Sequence, residues 1–343
     1  MQKKSLLLLL FMATMLFTVA CSSDSSGDAS NTTGSNSEGS NEVEAAEGEE
    51  GTEEGETEAS ERVIQHAMGE TIVPANPQRI VVLTGDALEA VLSVGLTPVG
   101  STQAMGDRIW YEHLEDYMDG VTNVGAMSTP DLEAIQLLEP DLILGAKSRQ
   151  EESYDLLSEI APTVFTESHT LGQWKADFRL YLDAANKLDE GEEVLAAWEG
   201  RAAELSQRLD DAGKLDLEVG ILRFTAGQGR FFYNMSYSGS IVKELGFARP
   251  ANHDVDDQWV ENITQERIPE FDADVLFYFV LDSGDGQAVQ FADEWIETQL
   301  FQELRAAKED RLYEVNDGYW NMTYGILSAD YVLEDIERHL LGE

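Results

Sequence analysis

The sequence predicts an α/β protein of two lobes bridged by a long helical segment. Three observations carry that prediction. Short β-branched runs alternate with amphipathic stretches from Arg79 to Phe165, and the alternation resumes at Glu218. Between the two flanks, apolar residues recur at 174, 178, 181, 185 and 188, then at 195, 198, 202, 205 and 209. Spacings of three and four are those of a helix face. The two flanks also present their elements in the same order, each with a helix leading through acidic residues into an apolar strand (Leu132–Leu144 and Ile263–Phe279).

The first strand expected is Arg79–Leu83, introduced by Pro77. A helix over Asp86–Val94 closes on Gly95, and Pro98–Gly100 forms a second strand. Asp131–Glu139 reads as helix, with Ser128 or Thr129 as cap and Pro130 in its first turn. Leu142–Leu144 is a buried strand, Arg149–Ile160 a helix and Thr163–Phe165 a strand. Asp189 followed by Glu192 resembles a capping box, which divides the middle into helices near 173–188 and 190–211. Beyond Gly213, strands are expected at Glu218–Phe224, Phe231–Tyr233, Asp274–Val280 and Leu312–Val315. Helices are expected at Gly239–Leu245, 291–299 and 326–341. The resulting division is 62–172, 173–212 and 213–343. A ligand would lie between the lobes, since open α/β sheets bind at the carboxyl ends of their strands.

The amino terminus reads as an address. Lys3 and Lys4 precede an apolar run from Leu6 to Ala20 that ends on small residues before Cys21. That is a secretory signal over residues 1–20, too short for a spanning helix. Cys21 is the only cysteine of the 343 residues, so no disulfide can form within the chain. Its position resembles a bacterial lipobox, although Thr18 stands where Leu is usual. Lipidation at Cys21 and extracytoplasmic anchoring in the cell membrane are therefore expected. Residues 21–61 are rich in Ser, Gly, Asn, Thr and Glu and form a tether too polar to bury a core. The net charge of −44 repels nucleic acid and anionic headgroups.

Several segments resemble a known group. Pro77–Leu83, Leu88-Glu89-Ala90 and Val94–Gly100 are similar to the opening of iron-siderophore and cobalamin substrate-binding proteins of ABC importers. Asp131–Ile135, Leu138–Leu144, Ile160–Val164 and the carboxyl-terminal runs Leu304–Lys308, Arg311–Val315 and Tyr319-Trp320 fit the same group. The resemblance runs from 62 to 343. It implies two Rossmann-like lobes bridged by a long helix, the helical-backbone periplasmic binding protein fold. It also implies a monomer that binds a ferric siderophore and delivers it to an ABC permease. Leu222-Arg223-Phe224 with Ser236–Gly239 resembles the siderophore branch more than the cobalamin branch. A cobalamin, haem or metal-ion receptor of the same fold remains open, as does a surface interaction module without transport.

Candidate binding residues follow from charge and position. Arg223 sits late in an apolar strand, where a charge must face a cleft or a partner. A guanidinium there would clamp an anionic, oxygen-rich ligand; pairing with a carboxylate is the alternative. Arg149, Arg108 and Trp110 lie in loops at strand carboxyl ends, with a solvated surface arginine as the bland reading. Tyr233, Trp320 and Tyr324 supply aromatic faces, and Trp320 is expected in the pocket rather than the core. By the resemblance, Glu89, expected exposed on its helix, and Glu244 on the matching helix of the second lobe dock the permease. Against so many acids, a merely solvated Glu is the alternative for both.

Enzyme motifs are missing: the sequence has no Gly-x-Ser-x-Gly, no Gly-rich phosphate loop and no His-Glu-x-x-His. The five histidines are dispersed. No resident cofactor is expected, and iron should arrive already chelated.

Overall fold

The computed structural model describes residues 60–105, 108–168 and 172–342, all within one unit. The lipidation site Cys21 and nearly all of the tether lie outside them. The described chain opens with a hairpin of β1 (Glu61–His66) and β2 (Gly69–Pro74), which turns at Gly69 with φ +118°. Its inner face buries Ile64 and Val73, while the cross-strand pair Val63 and Ile72 points outward. That outward apolar pair breaks the in-out alternation, which is why the hairpin is hard to see in the sequence. The hairpin is fastened to the strand at 163–166: Ala67 N donates to Phe165 O (3.0 Å), and Phe165 N donates to His66 Nδ1 (3.2 Å).

The first lobe then runs β3 (Ile80–Val82), α1 (Gly85–Ser93), β4 (Gly100–Ser101), a 3-10 turn (Glu112–Tyr117) and β5 (Thr122–Asn123). A two-stranded ribbon comes next, β6 (Gly125–Ala126) with β7 (Thr129–Pro130), and leads to α2 (Leu132–Leu137) and β8 (Leu142–Ala146). After α3 (Lys147–Gln150), a 3-10 turn and α4 (Tyr154–Ile160), β9 (Thr163–Thr166) completes the lobe. The sheet is parallel throughout, in the order β5-β4-β3-β8-β9. Its central strands are buried on both faces, so they read as continuous apolar runs. Two local expectations change. Asp131 itself caps α2 by accepting from Ala134 N (3.0 Å), while Thr129 and Pro130 belong to β7. The helix expected over 149–160 is broken by the 3-10 turn at Glu151–Ser153.

The bridge is α5 (Trp174–Ala184) followed by α6 (Leu188–Asp211), whose 24 residues extend about 36 Å at 1.5 Å per residue. Asn186, with φ +55°, makes the turn between them. The capping box does not form, because α6 starts one residue before Asp189; Glu192 instead accepts from Arg179 Nε at 2.6 Å. Leu195, Trp198, Ala202, Leu205 and Leu209 bury the face that the spacing predicts.

The second lobe comprises β10 (Val219–Thr225), β11 (Gln228–Phe232), α7 (Tyr237–Glu244), β12 (Trp259–Ile263), a 3-10 turn (Gln265–Phe271) and β13 (Val275–Val280). It continues through α8 (Gln287–Ile296), α9 (Gln299–Gln302), α10 (Arg305–Lys308), β14 (Leu312–Glu314), a π turn (Gly318–Met322) and α11 (Ile326–Leu341). The strand order β12-β11-β10-β13-β14 repeats that of the first lobe. Here, however, β11 and β12 run antiparallel, because Ala226-Gly227 folds β10 straight back on itself, with φ +72° at Gly227. Ile263, read as the start of a helix, ends β12, and Pro269 restricts the segment Gln265–Phe271 to a 3-10 turn.

Candidate functional site

The loops after β4, β8, β13 and β14, at strand carboxyl ends in both lobes, line a common cleft. Three hollows in it meet at Met105, which lies beyond β4 and is half exposed. The largest, about 490 Å³, takes Arg108, Tyr111 and Glu112 from the first lobe. From the second it takes residues at the ends of β13 and β14, among them Asp282, Glu314 and Asp317. A second hollow of about 260 Å³ reaches Thr225 and Ala226 at the tip of the β10–β11 hairpin. A third, about 290 Å³, reaches Arg149 after β8. This is where a doubly wound sheet offers its loops, on either side of the first strand.

The floor is polar and nearly sealed. Arg223, late in β10, is 8% exposed, its guanidinium lies 6.0 Å from the Phe232 ring centre, and its Nε has no hydrogen-bond partner. Arg230 stands directly across from it on β11 and lies over the Trp259 ring at 4.9 Å. Asp317, in the turn after β14, faces both arginines; burial pushes its carboxyl up to about 6, against the pull of Arg223. Tyr324 is buried beside this group with φ +59°, and burial raises its hydroxyl well above the usual range. The charges of Arg223, Asp317 and Arg149 all reach it. Tyr111 closes the first-lobe side, pushed up to about 12 by burial, with Asp317 and Arg149 again among the charges it feels.

The predicted site residues therefore separate. Arg149 and Arg108 line hollows of this cleft, while Arg223 and Tyr324 are buried where their interactions reach Asp317 of the largest hollow. Trp110 lines only a crevice of about 10 Å³ behind Tyr111, where it packs on the core. Two assignments need correcting. Trp320 is fully buried: its ring stacks on Phe277 at 4.9 Å and its Nε1 donates to Asp335 (2.8 Å). The π turn rotates it inward, away from the cleft. Tyr233 lies just past β11, and an antiparallel strand delivers its carboxyl end to the far side of the sheet. There its ring lies against His253 and not in the cleft.

Glu89 is also corrected. Its side chain is fully buried, not exposed. It reaches across to the amino end of α11, accepting from Ser328 N (2.8 Å) and Ser328 Oγ (2.5 Å), with His113 Nε2 at 3.3 Å. Gly325 permits the approach, since a Cβ there would collide with the Glu89 carboxylate. A carboxylate enclosed in this way has no free face for a partner. Glu244, by contrast, is on the surface at the end of α7, paired with Lys175 at 2.6 Å.

Asp317, Tyr111, Arg230 and Met105 are site residues that the sequence did not single out. Asp317 sat inside a turn signal, Asn316-Asp317-Gly318, that accounted for it without a ligand. Arg230 needed the hairpin, and Ala-Gly is a weak hairpin signature.

A profile of the family described as periplasmic binding protein matches residues 80–319. The chain belongs to that family. A relative in Bacillus subtilis, the probable siderophore-binding lipoprotein YfiY, is 38% identical over 99% of both chains. The Fe(3+)-citrate-binding protein YfmC of the same organism is 30% identical over 84% of this chain and 89% of its own. Among solved structures, Staphylococcus aureus SirA complexed with staphyloferrin B superposes with a TM-score of 0.75 at 28% identity, over 82% of this chain and 98% of that one.

Proposed function

We propose that this chain captures an intact ferric siderophore in the cleft and delivers it to an ABC permease for iron uptake. The observation that carries the reading is an interlobe cleft whose hollows are lined by Arg108 and Arg149, above a buried Arg223 whose charge reaches Asp317 in the largest of them, in a chain whose net charge is −44. Buried or half-buried guanidinium groups at strand ends suit an anionic, oxygen-rich chelate. Relatives whose names specify siderophores or ferric citrate support the same reading. Among the described residues, no group of three or more His, Cys, Asp or Glu is disposed to hold a metal ion.

The protein acts as a receptor rather than an enzyme and needs no resident cofactor. The name of the lipoprotein relative supports anchoring through Cys21. No helix of the described residues is long and apolar enough to cross a membrane. Of the two docking candidates, Glu244 keeps the exposure that a permease contact requires.

Intrinsic Trp fluorescence titrated with ferric schizokinen, ferric dicitrate, ferrioxamine and cobalamin tests the binding step. A saturable response to at least one ferric chelate is expected. Response to cobalamin alone, or to free Zn²⁺ alone, would remove the siderophore reading.

A further inference from the structure

Asp317 is the least accounted-for group of the cleft. It is 9% exposed and lines the largest hollow, and its Oδ2 has no hydrogen-bond partner. Its Oδ1 receives only a long bond from the Asn321 amide, 3.4 Å. The turn does not require it, because Asn316 Oδ1 accepts from Gly318 N at 2.8 Å. Nor does its side chain cap the adjoining π turn. The groups that face it are Arg223 and Arg230 from the second-lobe sheet, Asn321 from the π turn, and Tyr111 and Tyr324. Around it, Glu112, Asp282 and Glu314 add three more carboxylates to the hollow, against Arg108. The hollow thus holds four carboxylates, which only accept, against the single guanidinium of Arg108, with the charges of Arg223 and Arg230 reaching Asp317 from the sheet.

We propose that Asp317 selects the ligand class: its carboxylate accepts a hydrogen bond from an N–H group of the bound ferric chelate. The site then favours chelates that carry amide or ammonium N–H beside their anionic oxygens over chelates built from carboxylates alone. This rests on the siderophore reading and sharpens it. A ligand that fills the hollow without bringing a donor leaves the Asp317 carboxylate with no hydrogen bond beyond the long one from Asn321, and sets further carboxylates against Glu112, Asp282 and Glu314. Loss of one such bond is worth about tenfold to a hundredfold in affinity. A ligand bearing an amide beside a carboxylate offers Asp317 a donor and Arg108 an acceptor.

The test compares ferric dicitrate, which has no N–H, with ferric schizokinen, whose amide N–H groups flank a citrate carboxylate. Wild type is expected to bind ferric schizokinen at least about tenfold more tightly. Asp317→Ala, which removes the acceptor, should weaken ferric schizokinen by about tenfold or more while costing ferric dicitrate less, so that the preference contracts. A thermal melt checks that the variant folds. Asp317→Leu, closer in volume and without an acceptor, gives the same comparison if the alanine variant does not fold. Equal affinity of wild type for the two chelates, or equal weakening of both by the substitution, overturns the proposal while the siderophore reading stands. Binding of neither chelate overturns both.

Discussion

The two lobes share a strand order yet treat the end of their first strand differently. In the first lobe β3 passes directly into α1, and the polar groups beneath that turn are acidic and sealed. Asp86 and Asp177 are both buried, and Tyr181 Oη lies 3.3 Å from Asp86 Oδ2 while donating to Gly145 O at 3.1 Å. In the second lobe β10 folds back as β11, which sets Arg223 and Arg230 side by side where their charges reach Asp317. The helical crossover sets buried acids against one another, whereas the hairpin sets a buried cation beside the Asp317 that lines the cleft. The second lobe therefore supplies the buried cations of the site, and the first supplies its rim.

The sealed acids of the first lobe should have the largest effect. Burial pushes the Asp86 carboxyl up from 3.8 to about 7, and burial followed by the charge of Asp86 pushes Asp177 to about 8. The folded state thus holds protons that the unfolded state has released, so stability falls as pH rises from about 4 to about 8. For Asp86 alone the change is about 4 kcal/mol at 1.4 kcal/mol per pKa unit. Asp86→Asn should melt higher than wild type at pH 8.5, with the difference shrinking toward pH 4. Parallel pH profiles for the two proteins would mean that the acids are not a sealed counterpart to the arginines.

Arg223→Ala tests the other half of the comparison. Removing a desolvated guanidinium from the floor should cost about 2–5 kcal/mol in chelate affinity. An unchanged dissociation constant would make Arg223 a structural partner of Asp317 and leave the second lobe without its assigned role.

The sequence disclosed the lobes better than the site, for physical reasons. Buried strands such as Leu142–Ala146 and the apolar face of Leu188–Asp211 carry their periodicity openly, because burial demands it. Arg223 was visible for the opposite reason, a charge in an apolar strand. The direction in which a side chain leaves its element is not periodic information. Trp320 turns inward because a π turn, not a loop, holds it, and Tyr233 is carried to the far side because β11 is antiparallel. Glu89 occupies a helix position that reads as surface, but its neighbour is α11, more than two hundred residues later.

Glu89 links the lobes, and its substitution gives a smaller effect that separates two roles. Glu89→Gln keeps one acceptor for Ser328 and loses the other, so it should lower stability by about 1–3 kcal/mol in urea unfolding. The amino end of α11 also loses a favourable negative charge. If Glu89 were instead a docking residue, the variant would unfold like wild type and fail only in chelate uptake by cells.

Arg108 should matter least, and that is informative. It lines the largest hollow, yet its side chain is 59% exposed and paired with Glu112 four residues on, at 3.1 Å. An exposed pair of this kind contributes about 0–1 kcal/mol, because water screens it and two long side chains must be ordered to form it. Arg108→Ala should therefore change the equilibrium affinity by less than about 1 kcal/mol, and act mainly on the association rate at low salt. Stopped-flow titration at two ionic strengths reads both quantities. A loss as large as that from Arg223→Ala would show that the lobes close far enough to bury Arg108 on the ligand. The contrast between a built floor and a solvated rim would then belong to the open cleft alone.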